Sequence, residues 1–197
     1  MIEDVFNQTL NLILLHKKYG LAIPFALKGN LGEFIVAGEL LKRFPDHRID
    51  YRGGAYPRID ILIDNVRIQV KTQIKHPLKK FKNGELDFES SPTINRSTIE
   101  DKECDIIVLV ILYFVKDYSR LQKQNLYIFG QEDFKYFSHK FCWTGKSKGD
   151  YTIVNVLSVK GTIPDRMREK IDFYNKIEYK RLFQHSKDNW EKITTLL

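Results

Sequence analysis

Residues 58–73, RIDILIDNVRIQVKTQ, decide how this chain is read. Apolar and polar residues alternate through Ile59, Ile61 and Ile63, and again through Val66, Ile68 and Val70, the period-two pattern of strands with one buried face. Asp64-Asn65 stands between the two runs as a turn pair, so the segment predicts a hairpin. A two-residue turn fixes the register: Ile63 faces Val66, Ile61 faces Ile68, and Asp60 faces Gln69. Directly opposed residues share a face, with Cβ atoms about 4.5–5.5 Å apart, and Lys71 projects to the same face as Gln69. A carboxylate, an amide and an ammonium group therefore gather at one end of the hairpin, opposite a face that must be core.

The segment before the hairpin supplies a fourth candidate. KGNLGEFIVAGELLKRF, residues 28–44, predicts a helix from about Leu27 to Phe44, closed by Pro45. Within it Val36, Ala37, Leu40 and Leu41 follow Glu33 at helical spacing, which places the Glu33 carboxylate on the inward stripe. An unpaired carboxylate there would cost several kcal/mol, so a cationic neighbour is expected. Glu39, followed by Lys42 and Arg43, reads as a surface acid in helix pairs.

The rest of the chain frames these residues. Residues 2–18 carry Val5, Phe6, Leu10, Ile13 and Leu14 at helical spacing, with Gly20 as a stop. HRIDYR reads as a short strand and GGAYP as a connection. Residues 74–95 read as a loop with a small hairpin at Asn83-Gly84, and Ser97 with Glu100 fits a capping box for a short helix. CDIIVLVILYF and NLYIFG read as strands, QEDFKYF as a short helix, and the stretch from about Asp165 to the C-terminus as helix broken near residues 185–187. The fold class expected is α/β, a mixed sheet flanked by helices with a C-terminal helical extension. It divides into an N-terminal packing helix (1–26), a core (27–137), and a C-terminal strand and helical extension (138–197).

Composition excludes some classes and favours one partner. Of 197 residues, 43% are hydrophobic and 29% charged, as in an ordinary soluble globular chain. The longest apolar run, IIVLVILYFV at 106–115, is of buried-strand length and shorter than the roughly 18 residues of a membrane span. The N-terminus lacks the basic and apolar blocks of a secretory signal. Cys104 and Cys142 form no disulfide framework, and a cytoplasmic setting is expected. His139 and Cys142 lack a second pair for zinc. The net charge of +7 raises the prospect of a polyanion. No acid occurs between Asp64 and Glu85, where Arg67, Lys71, Lys75, Lys79, Lys80 and Lys82 accumulate.

Asp60, Glu33 and the amide oxygen of Gln69 are hard oxygen ligands of the kind Mg²⁺ accepts while retaining waters. Lys71 is suited to orient an attacking water or to stabilise phosphate charge. The competing reading is an Asp60–Lys71 ion pair on an exposed sheet face, with Gln69 as filler.

Lys28-Gly29, Gly32-Glu33, Asp60 and the triplet Gln69-Val70-Lys71 resemble the PD-(D/E)XK nuclease superfamily, nearest in pattern to group I intron-associated endonucleases and archaeal Holliday-junction resolvases. The likeness covers residues 27–73 closely and the strand at 104–113 loosely; residues 138–197 match nothing. It implies a restriction-endonuclease-like sheet and a catalytic set of Glu33, Asp60, Gln69 and Lys71. In that set Asp60, Gln69 and Glu33 bind Mg²⁺, with Mn²⁺ as an alternative, and Lys71 is the motif lysine. There are two departures: Pro57 stands three residues before Asp60, and Gln69 replaces the usual second acid, keeping an oxygen but losing a charge. The function expected is a metal-dependent DNA endonuclease, restriction-like or intron-associated, with Arg52, Arg58, Lys75, Lys79, Lys80 and Lys82 on the phosphate backbone. Cutting both strands calls for a homodimer or a partner nuclease subunit. The alternatives are a Holliday-junction resolvase, a non-catalytic DNA-binding subunit, and an RNA substrate.

Overall fold

A computed structural model of the chain describes residues 2–52, 59–75, 93–95, 102–115, 120–136, 150–152 and 177–197. Two helices come first, α1 (Ile2–Lys18) and α2 (Phe25–Arg43). The C-terminus of α1 is closed as the sequence predicts. Gly20 adopts φ +69°, its N–H donates to Lys17 O at 3.1 Å, and the Leu21 N–H donates to His16 O at 2.7 Å. Those paired bonds around a left-handed glycine satisfy carbonyls that the helix end would leave orphaned.

Five strands form the main sheet: β1 (Ile49–Tyr51), β2 (Ile61–Ile63), β3 (Val66–Lys75), β5 (Ile106–Phe114) and β6 (Leu121–Gly130), in the order β1-β2-β3-β5-β6. A two-stranded sheet pairs β4 (Thr93–Asn95) with β7 (Asp150–Thr152). A 3₁₀-helix (Gln131–Tyr136), α3 (Ile177–Ser186) and α4 (Glu191–Thr194) complete the described elements. The architecture is mixed α/β, with helices flanking the sheet. No helix among the described residues is long and apolar enough to cross a membrane.

The hairpin register agrees with the alternation: Ile61 pairs with Ile68, and Ile63 with Val66. Asp64 takes the left-handed conformation the turn needs (φ 49°), which Asp tolerates better than most residues. Its carboxylate is held by the Arg48 N–H at 2.9 Å and by His47 Nδ1 at 2.7 Å. β3 then runs parallel to β5, from Ile68 opposite Ile106 to Lys75 opposite Tyr113. A bidentate pair fixes the start of that parallel ladder. Arg67 Nε donates to Asp105 Oδ2 at 3.0 Å and Nη2 to Oδ1 at 2.8 Å, while the Arg67 N–H donates to Oδ2 at 2.8 Å.

Both faces of β5 are buried, which accounts for its uninterrupted apolar run. Ile106, Val108, Val110 and Leu112 join the core under α1 and α2, with Ile61, Ile63, Ile68, Leu31, Val36 and Leu40. Ile107, Leu109 and Ile111 face the other way and are fully buried. On β6, Tyr127 and Phe129 stack edge-on against Phe183 of α3, with ring centroids at 5.2 and 5.4 Å. The C-terminal turns also reach the first core: Trp190 and Ile193 are buried within it, and Arg43 of α2 lies over the Trp190 ring at 5.0 Å. The helix break expected near 185–187 falls after Ser186, where Lys187 bridges to Tyr127 and Asp188 N–H donates to Leu126 O at 3.0 Å, covering part of the β6 edge. The hairpin at Asn83-Gly84, the capping box at Ser97, the His139–Cys142 pair and Asp165 lie outside the described residues.

α2 lies close against β3 because Gly32 has no side chain. A Cβ there would run into Thr72 Oγ1 and come within 3.0 Å of Thr72 Cβ and 3.1 Å of its Cγ2. Rotating the hydroxyl does not clear the space. Overpacking costs about 1–3 kcal/mol, against about 1 kcal/mol of helix propensity gained over glycine. Gly32→Ala is therefore expected to lower the urea midpoint, and adding Thr72→Gly to recover part of the loss; an unchanged or raised midpoint in the single variant would show that the helix can withdraw freely.

Candidate active site

The site assembles where β2 ends and α2 crosses β3. Asp60 immediately precedes β2, and pairing stops one step short of the expected Asp60–Gln69 rung, at Ile61–Ile68. The reason lies in its side chain. Asp60 Oδ2 accepts the Val70 N–H at 2.6 Å while the Asp60 N–H donates to Ile68 O at 3.0 Å, so the carboxylate takes the place of a backbone acceptor in the ladder. Burial raises the Asp60 carboxyl above the usual aspartate range, while the Val70 N–H and the Lys71 charge pull it back. Lys71 acts on it through charge, without a hydrogen bond between them. The exposed-face ion pair considered above is therefore not formed, and Gln69, 5% exposed, is not surface filler.

Glu33 comes from α2, whose inward stripe of Leu31, Val36, Ala37 and Leu40 is fully buried, whereas Leu41, expected on that stripe from its spacing, lies at its margin and is 46% exposed. Glu33 itself is only 9% exposed. The partner expected for it was a cation; the direct partner is a phenol. Tyr51 of β1 donates its hydroxyl to Glu33 Oε2 at 2.7 Å, and its ring packs against Phe34 with centroids 5.4 Å apart. Burial pushes the Glu33 carboxyl up; the Tyr51 hydrogen bond opposes this, Asp60 adds to it, and Lys71 lowers it. The Tyr51 hydroxyl is raised well above the ordinary phenol value by burial, by its bond to Glu33, and by the charges of Glu33 and Asp60. Glu33, Asp60, Lys71 and Tyr51 thus share one electrostatic neighbourhood.

Gln69 adds the most telling feature. Its Oε1 is buried and has no hydrogen-bond partner, and a buried acceptor left unmade costs about 1–3 kcal/mol. It lies one residue from Val70, whose N–H holds Asp60. Glu33 and the partly buried Asp60 are coupled through charge and both hold protons more tightly than usual, so added positive charge there would be favourable; the orphaned Gln69 oxygen lies on β3, on the face turned away from the Thr72 contact with α2. Among the described residues, no group of three or more His, Cys, Asp and Glu is placed to hold a metal ion, so a cation here would rest on two acids and an amide. Such a set suits a hard divalent ion that keeps several waters.

The backbone contacts expected from sequence are only partly described. Arg52 follows β1; its N–H donates to Asp60 O at 2.9 Å, and its Nη2 pairs with Asp50 Oδ2 at 2.8 Å. Lys75 closes β3. Its side chain lies outside the described residues, as do Arg58, Lys79, Lys80 and Lys82. Glu39 pairs with Lys42 and Arg43 at 3.4 and 3.3 Å, the surface role read from its spacing. Tyr51 was missed because its role depends on β1 pairing with β2, Tyr51 opposite Ile61, a contact that alternation alone does not specify.

No family model, curated protein or solved structure matches the chain.

The raised carboxyls predict a trade between stability and function. An acid whose folded-state affinity for protons is raised destabilises the fold once it ionises, so its cost appears as pH climbs above the unfolded value and is absent below it. Glu33→Gln keeps an acceptor for Tyr51 and removes the charge. Its melting temperature is expected to exceed wild type at pH 7 without added metal, with the advantage vanishing near pH 4; equal melting temperatures across that range would remove the burial argument.

Proposed function

We propose that the chain is a divalent-metal-dependent DNA endonuclease, restriction-like or intron-associated in type, with Glu33, Asp60, Gln69 and Lys71 as its catalytic set. The observation that carries this reading is the charge coupling of Glu33, Asp60 and Lys71, together with an orphaned Gln69 Oε1 one residue from the Val70 N–H that holds Asp60. A buried acceptor without a partner is one mark of a site that takes up an ion or a water. Asp60, Glu33 and Gln69 would hold the ion, which when bound supplies positive charge to the scissile phosphate. Lys71 orients the attacking water and offsets charge that develops on the phosphate oxygens. Tyr51 fixes the position of the Glu33 carboxylate through its 2.7 Å hydrogen bond. The basic residues Arg52, Arg58, Lys75, Lys79, Lys80 and Lys82 would contribute salt-sensitive, sequence-independent affinity for the phosphate backbone.

One experiment separates this from the neighbouring readings. Supercoiled plasmid, linear duplex, a four-way junction and single-stranded RNA are each incubated with protein and Mg²⁺ or Mn²⁺, with EDTA controls. Cutting of plasmid and duplex supports the endonuclease; cutting confined to the junction makes the protein a resolvase, and cutting of RNA alone moves it to another substrate. Salt-dependent DNA binding without cleavage of any form would contradict catalysis and favour a DNA-binding subunit in which Gln69 marks the lost acid. Cleaving both strands with one site per chain generally calls for two copies or a partner subunit.

A further inference from the structure

α1 is apolar on two sides, and only one of them is used by the core. Phe6, Thr9, Leu10 and Ile13 face inward. The other stripe faces solvent: Val5 is 38% exposed, Leu12 and Leu15 47% each, and Tyr19, the first residue beyond α1, 67%. Together with exposed Gln8, these positions are spaced three, four, three and four residues apart, the heptad spacing of a coiled-coil seam. Scattered exposed leucines need no explanation, but a heptad-spaced row of them does.

We propose that a second copy of this chain packs antiparallel against this outer face of α1. In a two-fold arrangement centred near Asn11, Val5 meets the partner's Leu15, and Gln8 meets the partner's Leu12. The flanking positions one residue before Val5, Leu12 and Tyr19 are Asp4, Asn11 and Lys18. Two-fold antiparallel pairing then sets Asp4 beside the partner's Lys18, Lys18 beside the partner's Asp4, and the two Asn11 amides together on the axis. A parallel pairing would instead bring the two acidic first turns together at one end and the two basic last turns together at the other. Charge complementarity therefore selects both the occupant and its direction.

An anionic membrane surface fits the helix less well. Helices that lie on membranes carry Lys and Arg along the polar face, whereas α1 has Glu3 and Asp4 in its first turn and Lys17 and Lys18 in its last. About two heptads bury less than the roughly 800 Å² per partner of a standard interface. The dimer is accordingly expected to dissociate in the micromolar range. This interface stands on α1 alone and does not depend on the nuclease reading.

Sedimentation velocity over a dilution series of the full chain tests it. The expected mass is twice 23.3 kDa at high concentration, falling to 23.3 kDa on dilution. Leu12→Asp with Leu15→Asp is expected to be monomeric throughout, with an unchanged far-UV spectrum. The charge exchange keeps the test decisive if that variant misfolds. Asp4→Lys alone and Lys18→Asp alone each weaken association by roughly tenfold, and the two combined restore it. A wild-type chain that is monomeric at every concentration, a dimer indifferent to the exchange, or a monomer that co-floats with phosphatidylserine vesicles would overturn the proposal.

Discussion

Lys71→Ala is expected to lower the single-turnover rate of Mg²⁺-dependent DNA cleavage by about 10²–10³-fold, the usual loss when one group that stabilises developing charge is removed. DNA affinity is expected to change little, because Lys71 is one half-buried cation among the six Lys and Arg residues of the 67–82 run. The sign and size follow from position. Lys71 shares its neighbourhood with Glu33 and Asp60 and acts on both through charge. Lys71→Arg keeps the charge but replaces a compact ammonium by a planar fork, so it is expected to recover only part of the rate. Quench-flow with excess enzyme measures the step directly. A Lys71→Ala rate within threefold of wild type would remove Lys71 from the catalytic set.

The largest expected effect on stability lies two strands away from Lys71, on β6. Phe129 is fully buried in β6, pairs in register with Ile107, and stacks on Phe183 with interplanar angle 76°. Phe129→Ala is expected to cost about 3–5 kcal/mol, the transfer term plus the cavity left behind. At about 2–4 °C per kcal/mol for a chain of this size, the melting temperature should fall by roughly 10 °C. Because Phe129 and Phe183 touch, the double alanine variant is expected to cost less than the sum of the singles by about 0.5–1.5 kcal/mol. Strict additivity would mean that α3 does not depend on that contact.

The hairpin was legible from sequence because its information is local. Alternation fixes the faces, Asp64-Asn65 fixes the register, and a one-residue slip would turn Ile61 and Ile68 to solvent. Glu33 was legible for the same reason, since helical spacing to Val36, Ala37 and Leu40 needs no distant information. What escaped was non-local. Tyr51 reaches Glu33 only because β1 lies beside β2, and β4 finds β7 across more than fifty intervening residues. The use of the Asp60 carboxylate as a ladder acceptor was also hidden, because a side chain that substitutes for backbone breaks the pairing rule that located it. Such departures from local rules are expected where a fold carries a site. The cation expected beside Glu33 followed from a correct premise, that a buried carboxylate needs a partner, but a phenol meets that need at lower desolvation cost.

The most direct test of the site is a Mn²⁺ titration by electron paramagnetic resonance, using Lys71→Ala protein with duplex DNA so that substrate survives, beside the same protein carrying Asp60→Ala. Saturable Mn²⁺ binding in the first and its loss in the second is the predicted result, with Gln69→Leu weakening binding to an intermediate degree. Absence of saturable binding, or equal binding with and without Asp60, would contradict the assignment of Glu33, Asp60 and Gln69 as one metal-holding cluster.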